Sequence, residues 1–446
     1  MKHHGLRLAV VVAAAALACT GIGATTRTAA ATLPAGNTVE QWDRIAEDTV
    51  VGSGAFQSEG FVYMAYVTTA IYDAAVSLAG GYQSVEPAFR AWKKASPDAA
   101  VVEAAYRTLT HFFPAASGTL DGFYAQALAA IPDGPAKLAG EKIGAVAASQ
   151  VIRARNGDGL TTPIAATSSF PALPAGPGVW RLTPSAFATP QTPWVGNVRP
   201  FILKSAKQFL PAPPPALSSA VWVAGYNETK TLGGATSTVR TDEQTAIAKF
   251  WSANVVRQYN RVVRDITDAR ALGLLETARL AAMVNVVATD AQISVMYAKY
   301  HYLFWRPVTA IDRTAVTSDG FGPVPGYDDG NASTEAEVGW RPLLATPNHP
   351  EYPSAHGSLT SAMTEVFAAF LGSSRINLDI HGFDAAGPAG NLDAVRHFDS
   401  AADLTTEIVN ARIWAGLHYR FSCEAAVQLG THVARYDLAH MFRTTR

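Results

Sequence analysis

A chain of 446 residues, 48% of them apolar, can bury a large core as one big domain or two ordinary ones. Its formal net charge of −1 supplies no basic field to recruit nucleic acid or an anionic membrane. Its two cysteines exclude a disulfide scaffold.

Residues 1–31 read as a signal peptide. Lys2 and Arg7 make a basic start, Leu8 to Ala18 an apolar stretch too short to span a bilayer, and Ala24 to Ala31 offer small residues for cleavage. The mature, exported chain then keeps a single thiol, Cys423. Helical periodicity follows over Phe61 to Leu78, Val101 to Phe113, Leu120 to Ile131 and Lys137 to Arg153, and Asn156-Gly157-Asp158-Gly159 stops it. From Leu160 to Ala220 nearly half of the 26 prolines accumulate, which rules out regular helix and predicts an extended segment over the surface. Its aromatic residues Trp180, Phe187, Trp194 and Phe201 predict that it packs on something.

Helices resume at Thr241, an N-cap with Asp242 and Glu243 in the first turn. A long helical pattern from about Leu274 to Trp305 carries Asn285, Asp290, Gln292 and Lys299, which marks a core helix rather than a membrane span. Ser358 to Leu371, Asp403 to Trp414 and Glu424 to Phe442 complete the set, and alternating strands are scarce. The fold class is all-α: helical bundles with one long irregular insertion. The expected organisation is a signal peptide (1–31), an N-terminal helical region (32–240) holding the Pro-rich insertion (160–220), and a C-terminal bundle (241–446).

Three boxes carry the chemistry. In Lys299-Tyr-His-Tyr-Leu-Phe-Trp-Arg306-Pro307 the two cations are two helical turns apart, so both can point from one helix face, with Pro307 placing Arg306 at or near a helix end. The aromatic run between them predicts burial, and buried cations need a counter-charge. In Tyr352-Pro353-Ser354-Ala355-His356-Gly357-Ser358, Ser354 is an N-cap whose following amides form an anion site, with His356 in the first turn as a proton donor. In Ala411-Arg412-Ile-Trp-Ala-Gly416-Leu-His418, Arg412 and His418 would diverge by roughly 120° on one continuous helix. Gly416 offers the break that returns His418 toward Arg412. Ser422, with Glu424 behind it, reads as the cap of the last helix. Singly, each box fits an ordinary capped or solvated helix. Together they supply fixed cations, fork-shaped donors, a hydroxyl, helix-terminal amides and two imidazoles, which suits a tetrahedral oxyanion.

In this order the boxes resemble the vanadium-dependent haloperoxidase and phosphatidic-acid-phosphatase type 2 superfamily: Lys, six residues, Arg-Pro; then Pro-Ser-Gly-His; then Ser-Arg, five residues, His, three residues, Asp. The resemblance covers about Leu274 to Phe442, and His349-Pro-Glu-Tyr-Pro-Ser-Ala-His356 looks like secreted bacterial haloperoxidases. It implies that Lys299, Arg306 and Arg412 neutralise the equatorial oxygens of vanadate or phosphate, and that Ser354 and the Ala355 amide bind further oxygens. It also implies that His418 ligates vanadium and that His356 is the acid/base. The expected cofactor is vanadate, and the expected partners are small molecules: hydrogen peroxide, halide and an organic acceptor. Lys299 then polarises the bound peroxide and His356 manages the proton.

The alternatives are an acid phosphatase, with a phosphate ester as substrate and His418 as nucleophile, and an inactive phosphate-binding relative. His349 stands where the resemblance suggests Phe in chloroperoxidases and His in bromoperoxidases, and Met296 stands where chloroperoxidases share Trp. Both favour bromide or iodide over chloride. Ala355 replaces the family Gly, Ala411 replaces Ser, and Ser422 replaces the Asp that orients the ligand His. A Ser hydroxyl or a backbone carbonyl there would orient the ring but charge it less.

Overall fold

The computed structural model describes residues 32–89, 91–162, 176–184, 187–313, 328–382 and 394–445. The expected signal peptide, 1–31, lies outside these described residues, as does part of the Pro-rich insertion.

Thirteen helices are described. In the first half they are α1 (Thr38–Gly52), α2 (Gln57–Ala79), α3 (Pro97–Phe112), α4 (Ser117–Ala129), α5 (Pro135–Arg155) and α6 (Ala220–Gly233). The second half holds α7 (Asp242–Phe250), α8 (Val255–Arg270), α9 (Leu274–Tyr302), α10 (Pro307–Ile311), α11 (Ala355–Leu371), α12 (Ala401–Trp414) and α13 (Arg420–His440). One antiparallel hairpin, β1 (Leu378–His381) with β2 (Val395–Phe398), joins α11 to α12 in register Leu378 opposite Phe398. The all-α class stands. Periodicity located the helices it named to within about a turn, but α1, α6, α8 and α10 were not foreseen.

α9 is the axis of the molecule. Nearly all of its side chains from Thr277 to Lys299 are buried, against α1, α2, α8, α11 and α13. Both α2 and α9 have the length and mean hydropathy, 1.3, of a membrane span, yet their surface is covered by other helices. Each fully buried Val, Leu, Ile or Met on these faces is worth roughly 1.5–3 kcal/mol, so a central helix apolar on every side is stable only in such a setting.

Close approach elsewhere is bought with glycine. A Cβ on Gly430 of α13 would meet the Ser358 carbonyl and the Ser361 hydroxyl of α11, so these two helices touch backbone to backbone. α1 is clamped to α8 by a buried ion network, in which Arg264 pairs with Asp43 and, at 2.7 Å, with Glu47.

The Pro-rich segment packs as its aromatics predicted, with Trp180 buried and a short 3-10 helix over Pro193–Asn197 lying on α9. Asp290 of α9 accepts the amides of Phe201, Ile202 and Leu203 at 2.7, 2.8 and 3.0 Å, a collar that satisfies a buried carboxylate and ties the segment down. Further along, Gln191 and Asn348 exchange two hydrogen bonds, of 2.8 and 3.0 Å, while the Thr183 amide donates to the Asn348 side chain at 3.0 Å. The segment therefore braces the loop that leads into α11.

Candidate active site: a cationic pocket at four helix ends

α9 stops at Tyr302 because Leu303 takes the left-handed conformation (φ 49°). Trp180 secures this end, its amide donating to the Leu303 carbonyl at 2.7 Å. Arg306 then lies in extended backbone as the N-cap of α10, with Pro307 at its first position. Lys299 and Arg306 thus do not share a helix face, as their spacing had suggested. The chain turns between them and still brings both to one place.

Lys299 is wholly buried and donates to the carbonyls of Pro350 and Glu351, both at 2.9 Å. Arg306 donates from Nε to the His349 carbonyl at 2.8 Å and from Nη1 to the Leu417 carbonyl at 2.9 Å. It also reaches His349 Nδ1 at 2.9 Å and His418 Nε2 at 3.2 Å. Ser354 caps α11 as expected, accepting from the Gly357 amide at 3.4 Å. Ala355, first residue of α11, is not among the left-handed residues, so replacing Gly there introduces no backbone strain.

Gly416 (φ 76°) supplies the foreseen break after α12, and Arg412 and His418 then face the same cavity. Arg412 is held by one hydrogen bond, Nη1 to the Trp251 carbonyl at 3.0 Å. The cavity is walled by His349, Ala355, His356, Arg412 and His418, with Phe56, Val255, Met296 and Leu359 among its apolar lining. Lys299 and Arg306 stand behind this wall.

One acidic group sits among these cations, and the sequence reading missed it. Glu351 is fully buried and accepts from His418 Nδ1 at 2.7 Å and from the Tyr419 amide at 3.2 Å. It is the counter-charge that buried cations require, lodged inside the motif His-Pro-Glu-Tyr-Pro-Ser. Ser422 does not cap the last helix. α13 begins at Arg420, and Ser422 lies inside it against the Glu351 carboxylate.

Burial and mutual repulsion set the charges. Burial lowers Lys299 well below its ordinary value, with Arg306 adding to the effect. Arg306 and Arg412 are each lowered to about 10, mainly by burial. The same cause, aided by these cations, lowers His349, His356 and His418 and keeps all three neutral. Burial raises Glu351 to about 7 despite Lys299 and Arg306.

Lys299, Arg306 and Arg412 thus surround the single carboxyl of Glu351. Arg412 Nε and His356 Nε2 are sealed from solvent and have no hydrogen-bond partner, though both residues line the cavity. Unpaired buried nitrogens among three basic side chains fit a multiply charged oxyanion such as vanadate or phosphate. No group of three or more His, Cys, Asp or Glu suited to a bare metal ion occurs among the described residues.

Residues 279–446 match the family described as the VCPO second helical-bundle domain. Vanadium chloroperoxidase of Curvularia inaequalis is 26% identical over 325 residues, covering 60% of this chain, which spans about half (51%) of that protein's length. The fold is that of a bacterial vanadium-dependent iodoperoxidase (TM-score 0.72, 21% identity, 92% of this chain and 98% of that one). It is also that of a bacterial vanadium-dependent chloroperoxidase in its holo form (TM-score 0.63, 17% identity, 88% and 91%). Over residues 279–446 the chain is similar to the VCPO second helical-bundle domain, and over most of its length it shares the fold of bacterial vanadium-dependent haloperoxidases.

Proposed function

We propose that this protein is a vanadate-dependent haloperoxidase that oxidises bromide or iodide with hydrogen peroxide. The observation that carries the reading is the pair of unpartnered nitrogens, Arg412 Nε and His356 Nε2, on residues that share a cavity wall with His418. In this reading His418 holds vanadium through Nε2, while Lys299, Arg306 and Arg412 balance the oxyanion charge. Ser354 and the Ala355 amide complete the cradle at the start of α11. Bound vanadate supplies the Lewis acid that activates peroxide toward halide. His356, neutral beside Arg412, takes up and returns the proton that this exchange moves.

The halide preference rests on His349, which lines the cavity and is fixed between Arg306 and the edge of Phe56, ring centroids 6.2 Å apart. The organic acceptor would enter past Phe56, Val255 and Met296, an apolar lining that suits an uncharged molecule. The basic-then-apolar order of residues 1–31 supports export to the extracytoplasmic side.

The test is an assay of the purified protein with and without orthovanadate. One arm offers peroxide with bromide, iodide or chloride, and the other offers a phosphate monoester. Halogenation of an organic dye that appears only with vanadate, and fastest with bromide or iodide, is expected, as is its loss in His418→Ala. Ester hydrolysis inhibited by vanadate would replace this reading with a phosphatase, and silence in both arms would leave an oxyanion-binding protein.

A further inference from the structure

A ligating histidine must keep one ring nitrogen free of its proton, and two contacts on His418 bear on which one. Arg306 Nη1 lies 3.2 Å from Nε2. A guanidinium has only hydrogens to offer, so Nε2 accepts. Glu351 Oε1 lies 2.7 Å from Nδ1, close enough for a strong N–H to carboxylate bond. Acceptance at Nε2 and donation at Nδ1 describe the same neutral tautomer, with a lone pair on the nitrogen that Arg306 also approaches.

The carboxylate that makes this choice is itself held. The Glu351 amide donates to the Phe304 carbonyl at 2.9 Å, its carbonyl accepts Lys299 at 2.9 Å, and Oε1 also accepts the Tyr419 amide. Its side chain is shut away from water, so the interaction is not diluted by solvent. Ser422, four residues after His418, lies near the same carboxylate from α13, though its hydroxyl has no hydrogen-bond partner among the described residues.

We propose that Glu351 is the positioning residue for oxyanion ligation by His418, delivering from the loop before α11 the carboxylate that α13 lacks at position 422. This rests on His418 being the ligand. Glu351 holds the proton on Nδ1, fixes the ring plane and makes Nε2 a stronger donor. Ser422 stands beside that carboxylate without bonding it, its hydroxyl and Glu351 Oε2 both lacking a hydrogen-bond partner. Because position 422 borders the carboxylate, an Asp there can take over when Glu351 is removed.

The experiment compares wild type, Glu351→Ala and Glu351→Ala/Ser422→Asp. Two quantities are read: the dissociation constant for orthovanadate, and the ¹⁵N shifts of the His418 ring in histidine-labelled protein without vanadate. Glu351→Ala is expected to weaken vanadate by about 10–100-fold and to lose the single-tautomer pattern, and the double variant is expected to recover both. Unchanged affinity and shifts in Glu351→Ala, or a double variant no better than the single one, overturn the proposal. Should Glu351→Ala not fold, Glu351→Gln keeps an acceptor for Nδ1–H without the charge. It is then expected to retain the tautomer while weakening vanadate, and full wild-type affinity in it overturns the charge argument. If wild type binds no vanadate but its ¹⁵N pattern responds to Glu351→Ala, the haloperoxidase reading fails and the positioning role stands.

Discussion

Replacing Arg306 by Lys keeps the charge and removes the fork. The guanidinium bonds the His349 carbonyl, the Leu417 carbonyl, His349 Nδ1 and His418 Nε2, at 2.8 to 3.2 Å. These acceptors lie on two segments far apart in sequence, and all are buried. One compact ammonium on a shorter reach cannot serve both segments, so at least two buried acceptors lose their donor. At about 1–3 kcal/mol for each unpaired group, Arg306→Lys should cost roughly 2–6 kcal/mol. A typical domain holds only about 5–15 kcal/mol in all. Urea unfolding followed by tryptophan fluorescence measures the loss, and vanadate binding measured on the folded fraction should weaken in parallel, because His349 and His418 are released together. A variant within about 0.5 kcal/mol of wild type, the ordinary range for a surface change, would show that charge alone matters at this position.

Three further outcomes follow from the helical frame. Asp437 is fully buried with neither oxygen hydrogen-bonded, and burial, with Asp290 adding to it, raises its carboxyl well above the ordinary range. The folded chain then keeps a proton that the unfolded chain releases above about pH 4, so stability present below that pH is lost as pH rises toward the folded value, by up to about 1.4 kcal/mol per unit. Asp437→Asn should escape this loss and gain on wild type as pH rises above about 4 in denaturant titrations; parallel profiles would refute the assignment. Gly430→Ala should cost about 1–3 kcal/mol or more, since its obstacle is the Ser358 backbone, and an unshifted urea midpoint would mean the two helices can separate freely. Arg264→Met leaves Asp43, already raised to about 7 by burial, without its bonded cation, while Glu47 keeps Arg257 at 2.8 Å, and thermal unfolding should report a loss of about 3 kcal/mol.

Local physics explains what the sequence disclosed. Ser354 caps α11 because a hydroxyl before an apolar periodic run satisfies first-turn amides, and Gly416 breaks the chain because only glycine takes φ 76° without strain. The missed helices had signals too. α1 opens with an Asn37–Glu40 capping box, and α8 places Val255, Tyr259, Val262 and Ile266 on one face behind the Asn254 cap. Two features were beyond local pattern. The turn at Leu303, which parts Lys299 from Arg306, is imposed by Trp180 and Gly178 from the remote Pro-rich segment. The Glu351–His418 bond joins residues 67 positions apart, and its only trace in the sequence is an acid inside an aromatic, proline-bounded motif with no solvent-facing reason to be there. Pairing of charges across such distances is decided by packing, which no spacing rule encodes.

The brace formed by Gln191, Thr183 and Asn348 has a bearing on how this scaffold would respond to engineering. An outer strap with almost no helix of its own sets the height of the loop bearing His349 and Glu351. Shortening or stiffening that strap would shift the loop bearing His349 and Glu351 from a distance, without one change to the residues that line the cavity.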